Sequence, residues 1–255
     1  MTDLVFELQS VHIAHGPKRV FDDLSVQVPA GQWTCLVGPN GVGKSTLLRA
    51  MAGLQTAQGS LQFEGRPLSA LPASVRARRL AWLGQVDDND GEWTIEELAM
   101  MGRLPHLSGW RIPQADDHAI VERVLADLGL SSQRHSVLST LSAGQRQRAR
   151  LARLLATQAP TLLMDEPVTH LDAPHQADWL TWARAWVATG NHLITVLHEL
   201  PLAMRADHLI VLHQGRCIHQ GSPQDAQTRK AIELAFDDRI EWVHAQGQWL
   251  SAWRL

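Results

Sequence analysis

The sequence predicts an α/β fold with a mainly parallel sheet, and three observations predict it. Apolar strand-like runs alternate with helical ones through most of the 255 residues. A glycine-rich loop, Gly38-Pro39-Asn40-Gly41-Val42-Gly43-Lys44-Ser45-Thr46, joins an apolar run at 33–37 to a helical run from 47. Three further apolar runs end on polar residues, at Gln85, at Asp165-Glu166 and at His198. In open α/β sheets, ligands sit at the carboxyl ends of the strands.

Taken in order, residues 4–13 and 20–28 alternate as two strands, with a turn at 14–18. Pro29 and Gly31 break the second before the strand into the glycine-rich loop. Gly53 ends the helix, 60–64 is a short alternating strand, 67–79 a short basic helical segment, and 80–85 a strand. Residues 86–91 form an acidic break, after which the pattern turns helical. A helix runs from Thr94 to about Gly102; 105–113 is irregular; Ile120, Val121, Val124, Leu125 and Leu128 share one face of a helix stopped by Gly129. Residues 88–140 therefore read as a mostly helical insertion.

Ser142 and Gln145 then fit an S-x-x-Q capping box ahead of a long helix over 146–157. A buried-type strand over 161–164 runs into Asp165-Glu166. Pro174 opens a helix to 189 that carries Trp179, Trp182 and Trp186, and 192–197 is a strand. Two hairpins close the chain, 208–212 with 216–219 and 239–244 with 248–253.

Composition excludes several classes. Apolar residues make up 45%, enough for a substantial core, and a net charge of −3 gives no electrostatic case for nucleic acid. Cys35 and Cys217 do not form a disulfide framework. No apolar run approaches the roughly 20 residues that span a bilayer, and the first residues lack a secretory signal pattern, so a cytosolic chain is expected. The 13 histidines are scattered without ligand spacing. Ten tryptophans accompany no tyrosine, for which composition offers no account.

The loop is an anion site. Glycines let the backbone wrap closely, so N–H groups and the positive helix end converge on phosphate oxygens. Lys44 supplies a mobile charge, the Ser45 hydroxyl can ligate Mg²⁺, and Asn40 and Gly41 suit left-handed backbone. Asp165 can complete the Mg²⁺ shell, with Glu166 placed to polarise an attacking water. The capping box accounts for Ser142 and Gln145 without a ligand, but leaves Gly144 in the first turn unexplained. A second anion site beside a single phosphate loop implies two chains sharing two nucleotides.

These motifs, together with Leu171-Asp172 and in this order and spacing, resemble those of ABC transporter ATPase subunits over nearly the whole chain. The resemblance implies a phosphate-loop fold with a RecA-like core, an antiparallel β subdomain and a helical subdomain. The core and β subdomain would span about 1–87 and 141–255, and the helical subdomain about 88–140. It implies a head-to-tail homodimer in which each ATP lies between one chain's loop and the other's Ser142, Ala143, Gly144 and Gln145. Gln85 would contact Mg²⁺ and sense the membrane partner, Asp172 would link the two sites, and His198 would contact the γ-phosphate. His15 stands where the family stacks an aromatic on adenine, and Ala143 where glycine is usual. Residues 102–110, Leu171-Asp-Ala-Pro-His-Gln176 and the closing hairpins look like the importer ATPases for iron–siderophores, haem and vitamin B12. That subgroup implies a separate permease dimer, a periplasmic or surface binding protein, no nucleic acid, and a place on the cytoplasmic face of the inner membrane. The competing reading is a non-transport ABC ATPase acting on nucleic acid or ribosome, which commonly carries two motif sets or basic extensions. One motif set and no basic tail are found here.

Overall fold

The computed structural model describes residues 4–16, 18–84, 92–107, 112–169, 171–245 and 248–254; the side chains of His15 and Gln248 lie outside the described set. The chain divides into two compact units. One takes Met1–Leu71, Leu163–Glu166 and Trp182–Leu255, the other Pro72–Leu162 and Pro167–Thr181.

The first unit holds an antiparallel and a mainly parallel sheet. In the antiparallel sheet, β1 (Leu4–His15), β2 (Lys18–Pro29), β4 (Ala57–Phe63) and β5 (Arg66–Pro67) lie in the order β2–β1–β4–β5. Burial alternates along β2, because one face packs inward and the other meets water. Phe6 and Phe63 pair across the buried face with ring centres 4.9 Å apart.

In the parallel sheet, β3 (Trp33–Val37) runs beside β8 (His192–Val196) on one edge and β9 (His208–His213) on the other. The antiparallel strand β10 (Arg216–Gly221) follows β9, and β7 (Thr161–Asp165), whose last three residues belong to this unit, lies beyond β8. Every residue of β3 and β7 is buried, which is why both read as unbroken apolar runs. Trp33 sits inside because its indole N–H finds the Thr195 hydroxyl at 2.9 Å.

The helix α1 (Lys44–Met51) leaves the glycine-rich loop three residues earlier than the sequence suggested, and a four-residue turn of helix, α7 (Leu200–Ala203), follows β8. Both closing hairpins form as expected, the second from β11 (Ile240–Ala245) and β12 (Gln248–Trp253). Between them lies α8 (Ala226–Ala235), a helix the sequence reading left unassigned. Its signal was present. Asp225 caps it by accepting from the Gln227 N–H at 3.1 Å, and Thr228, Ile232 and Ala235 are its buried stripe. Arg229 lies 4.0 Å over the Trp249 ring and fastens β12 to this helix.

The second unit is built on three helices, α3 (Ile95–Met101), α4 (Ala115–Asp127) and α5 (Ala143–Ala156), around one apolar cluster that includes Ile95, Leu98, Val121, Leu125, Ala149 and Ala152. It also holds α2 (Ala73–Arg79), β6 (Leu80–Leu83) and the start of α6 (Ala173–Ala188), which continues into the first unit. Thr94 and Glu97 close a full capping box on α3. On α4 the expected face is buried at Val121 and Leu125, but Asp117 joins it. Asp117 accepts from Arg103 Nε at 2.9 Å, while Arg103 Nη1 donates to the Ala156 carbonyl at 2.7 Å. The Gln114 N–H, with Arg103 behind it, holds the Asp117 carboxyl below the usual carboxylate range. His106 Nε2 meets the Thr157 carbonyl at 2.7 Å. Residues 103–106, which lead into the 105–113 segment read as irregular, are thus anchored on the C-terminal end of α5, where carbonyls lack helical partners. Residues 108–111 of that segment lie outside the described residues. Among the described residues no helix is long and apolar enough to cross a membrane.

Candidate functional site

The glycine-rich loop starts where β3 ends, and sterics fix its glycines. Gly38 has φ 150°, and a Cβ there would come within 2.2 Å of the Leu212 carbonyl oxygen. Gly43 has φ 107°, and a Cβ there would lie 2.4 Å from Val20 Cγ1 and 2.7 Å from the Phe21 ring. Neither position admits a side chain. Gly41 has the expected positive φ, with open space around it, whereas Asn40 beside it is exposed and is not left-handed, because the loop needs that backbone only at its glycines; Val42 turns inward. Gly43 is the N-cap of α1, with no side-chain cap and no acidic residue in the first turn. The N–H groups at this helix start are therefore left for an external acceptor.

Lys44 is only 5% exposed. Its amine donates to the carbonyls of Gly38 at 2.8 Å and Pro39 at 3.1 Å. Burial pulls its pKa down, and the Glu166 carboxylate is the largest influence holding it up. Ser45, the next residue, donates its hydroxyl proton to Asp165 Oδ1 at 3.1 Å. Asp165 closes β7 and is 2% exposed. Burial raises its carboxyl pKa; the Ser45 bond opposes this and the neighbouring Glu166 charge adds to it.

Glu166 has a left-handed backbone, φ 54°, unusual for a residue with a side chain and more so ahead of Pro167. Its N–H donates to the Val196 carbonyl at 3.1 Å. Its carboxylate accepts from His198 Nε2 at 2.5 Å, which makes that nitrogen the protonated one. The first unit therefore brings together Lys44, Ser45, Asp165, Glu166 and His198 at the ends of β3, β7 and β8. His15 is the last residue of β1, and its side chain is not among those described; Gln85 lies outside the described residues.

Ser142, Ala143, Gly144 and Gln145 belong to the second unit, at the start of α5. The capping box is complete: Ser142 Oγ accepts from the Gln145 N–H at 3.2 Å, and Gln145 Oε1 accepts from the Ser142 N–H at 2.9 Å. Gln145 Nε2 also donates to Gln133 Oε1 at 3.0 Å. A Cβ on Gly144 would meet only ordinary contact, 3.7 Å to Leu171 Cδ2. Nothing described in the chain itself requires glycine there. Asp172 accepts from both the backbone N–H of His175, at 3.2 Å, and its imidazole Nδ1, bonds that hold its carboxyl below the usual range.

Sequence reasoning missed Gln147. It is a buried amide on α5 that donates through Nε2 to the Pro167 carbonyl at 2.9 Å. Its signal was a polar residue in register with Leu151 and Leu154 on the apolar face of the helix.

The oxygens of Ser45 and Asp165 form a hard-donor pair that suits Mg²⁺. Among the described residues no three or more His, Cys, Asp or Glu side chains are grouped to hold a metal ion. The pair fits an ion that draws most of its shell from phosphate and water, as Mg²⁺ does.

Comparison with known proteins shows the family. The profile of the ABC transporter family matches residues 21–169. The hemin import ATP-binding protein HmuV of Pseudomonas entomophila (strain L48) is 38% identical over 241 residues, covering 91% of this chain and 92% of that protein. The ferric enterobactin transport ATP-binding protein FepC of Escherichia coli (strain K12) is 36% identical over 244 residues, 92% of this chain and 89% of that protein. Among solved structures, an ATP-binding cassette of an ABC transporter superposes with a TM-score of 0.79 at 23% identity, covering 91% of this chain and 98% of that one. The chain belongs to the ABC transporter family and has the fold of that family's ATPase domains.

Proposed function

We infer that this chain is the ATP-hydrolysing subunit of an importer, powering uptake of a metal chelate or corrinoid (iron–siderophore, haem or vitamin B12) through a separate permease. The observation that carries the ATPase reading is the pairing of Ser45 with Asp165 beside the contact of Glu166 with His198, around an uncapped phosphate loop. The importer reading is supported by the hemin and enterobactin relatives.

The residues divide the work as their chemistry dictates. Residues 38–46 bind the phosphates through backbone N–H groups, and Lys44 exchanges two carbonyl contacts for phosphate oxygens. Mg²⁺, when bound, neutralises phosphate charge and is held by Ser45 and Asp165, with Gln85 as a further contact. Glu166 orients and polarises the attacking water, and His198 donates its Nε2 proton toward Glu166 or the γ-phosphate. His15 stacks on adenine. Ser142 to Gln145 complete the site of a second copy in a head-to-tail homodimer, and Asp172 couples the two sites. The dimer sits peripherally on the cytoplasmic face of the inner membrane, against a permease dimer served by a binding protein that selects the cargo; no nucleic acid takes part.

A pull-down from membranes tests this, with the Glu166→Gln protein as ATP-loaded bait and mass spectrometry of what co-purifies. The expected result is a many-helix permease of the chelate or corrinoid importer type. Ribosomal or DNA-bound proteins, with no membrane partner, would overturn the transporter reading.

A further inference from the structure

A buried amide on the apolar face of a helix needs a reason. Leu or Met would fill the space of Gln147 without the cost of desolvating a polar group. Gln147 is 6% exposed, and its bond to the Pro167 carbonyl, itself buried, lies within the second unit. Pro167 is the residue directly after Glu166.

Among the described residues eight with side chains have left-handed backbone, and of these Glu166 alone precedes a proline. A side-chain-bearing residue at φ 54° ahead of a proline persists only where its surroundings over-determine it. Two hydrogen bonds bracket it. On one side its own N–H is held by the Val196 carbonyl at 3.1 Å; on the other the Pro167 carbonyl is held by Gln147 at 2.9 Å. The side chain between them reaches His198 at 2.5 Å.

We propose that Gln147 is a positioning residue for hydrolysis: by holding the Pro167 carbonyl it keeps Glu166 in the left-handed backbone that aims its carboxylate. Gln147 stands two residues beyond Gln145 on the same rigid helix, so the element that offers Ser142–Gln145 to a second copy also grips the segment carrying this copy's Glu166. This rests on the reading of Glu166 as the group that activates water.

The test uses the full chain with Gln147→Met, which keeps the volume and loses the donor, and Gln147→Glu, which keeps the shape and replaces the donor by an acceptor. Turnover is expressed per molecule able to bind a fluorescent ATP analogue, so that any loss of folded protein is divided out. In both variants kcat should fall about tenfold to a hundredfold, the scale of a misplaced catalytic group, while KM and analogue affinity stay within about twofold. In a Glu166→Gln background, Gln147→Met should cause no further fall, because a residue that acts through Glu166 has nothing left to position. If either variant keeps wild-type kcat, or if the two losses multiply, Gln147 is only a packing residue. Should Glu166→Gln alone turn over normally, the reading of Glu166 fails instead, and the two failures are told apart.

Discussion

The two loop-to-helix junctions of this chain, Gly43 into α1 and Ser142 into α5, are the same local structure finished in opposite ways. At Gly43 nothing caps the helix, the backbone is left-handed, and a side chain would strike Val20 and Phe21. At Ser142 a complete capping box satisfies the first turn, and the neighbouring Gly144 could carry a methyl group without a clash. The first junction is incomplete until an anion arrives. The second is complete within its own chain, and no described residue demands the glycine at 144. The difference teaches that an open junction advertises a ligand through its unsatisfied groups, whereas a satisfied one reads as ordinary structure, and a second role for it has to be found by experiment.

The largest effect expected from this contrast is on binding. Lys44→Ala should lower kcat/KM about a thousandfold, as loss of a charged transition-state contact does, and should weaken nucleotide binding by the isolated chain. Ser142→Ala should also slow turnover while leaving single-chain nucleotide affinity within about twofold of wild type. Equal loss of affinity in both, measured with a fluorescent ATP analogue, would break the contrast.

Stability sharpens it next. Gly43→Ala forces a left-handed backbone and a clash, so thermal unfolding should show a clear fall in Tm. Gly144→Ala lies inside a helix and should gain about 0.5–1 kcal/mol, yet turnover should drop because a second copy can no longer approach. A Gly144→Ala protein that is both more stable and fully active would remove the outside constraint.

Asp165→Asn gives a smaller, pH-dependent effect. Burial raises the Asp165 carboxyl above its unfolded value of 3.8, so the folded chain holds that proton more tightly than the unfolded chain. Stability contributed by this proton is present at low pH and lost as pH rises through the raised value. The nucleotide-free Asn variant should therefore be the more stable protein at neutral pH, with the gap closing on acidification. Mg²⁺ and nucleotide should reverse the order, because only the carboxylate gains from the cation. The smallest effect is expected from His15→Ala, a loss of ATP affinity of only a few-fold, since imidazole stacks less strongly than a larger ring. A loss as large as that from Lys44→Ala would contradict the stacking assignment.

Much of this was legible in the sequence, for identifiable reasons. The strands β3 and β7 announced themselves because parallel strands buried on both faces cannot alternate. Glycines at 38 and 43 were readable because backbone geometry leaves no other choice. What escaped notice depends on pairing across the chain. The burial of Asp117 depends on Arg103, 14 residues away in sequence, and nothing in the local pattern announces that partner. The role of Gln147 depends on the Pro167 carbonyl, 20 residues away, in a helix otherwise rich in Arg and Gln. The left-handed backbone of Glu166 carries no local signature, since it is imposed by neighbours rather than chosen by glutamate.

The central claim, two chains closing on shared ATP with Glu166 as the group that ends the closed state, is tested most directly on Glu166→Gln protein. Its mass in solution would be measured by light scattering after gel filtration, with Mg²⁺ and either ATP or ADP. A stable dimer with ATP, a monomer with ADP, and a small but measurable residual turnover, far below wild type, are expected. A chain that binds ATP and stays monomeric, or that hydrolyses at the wild-type rate, would contradict the account.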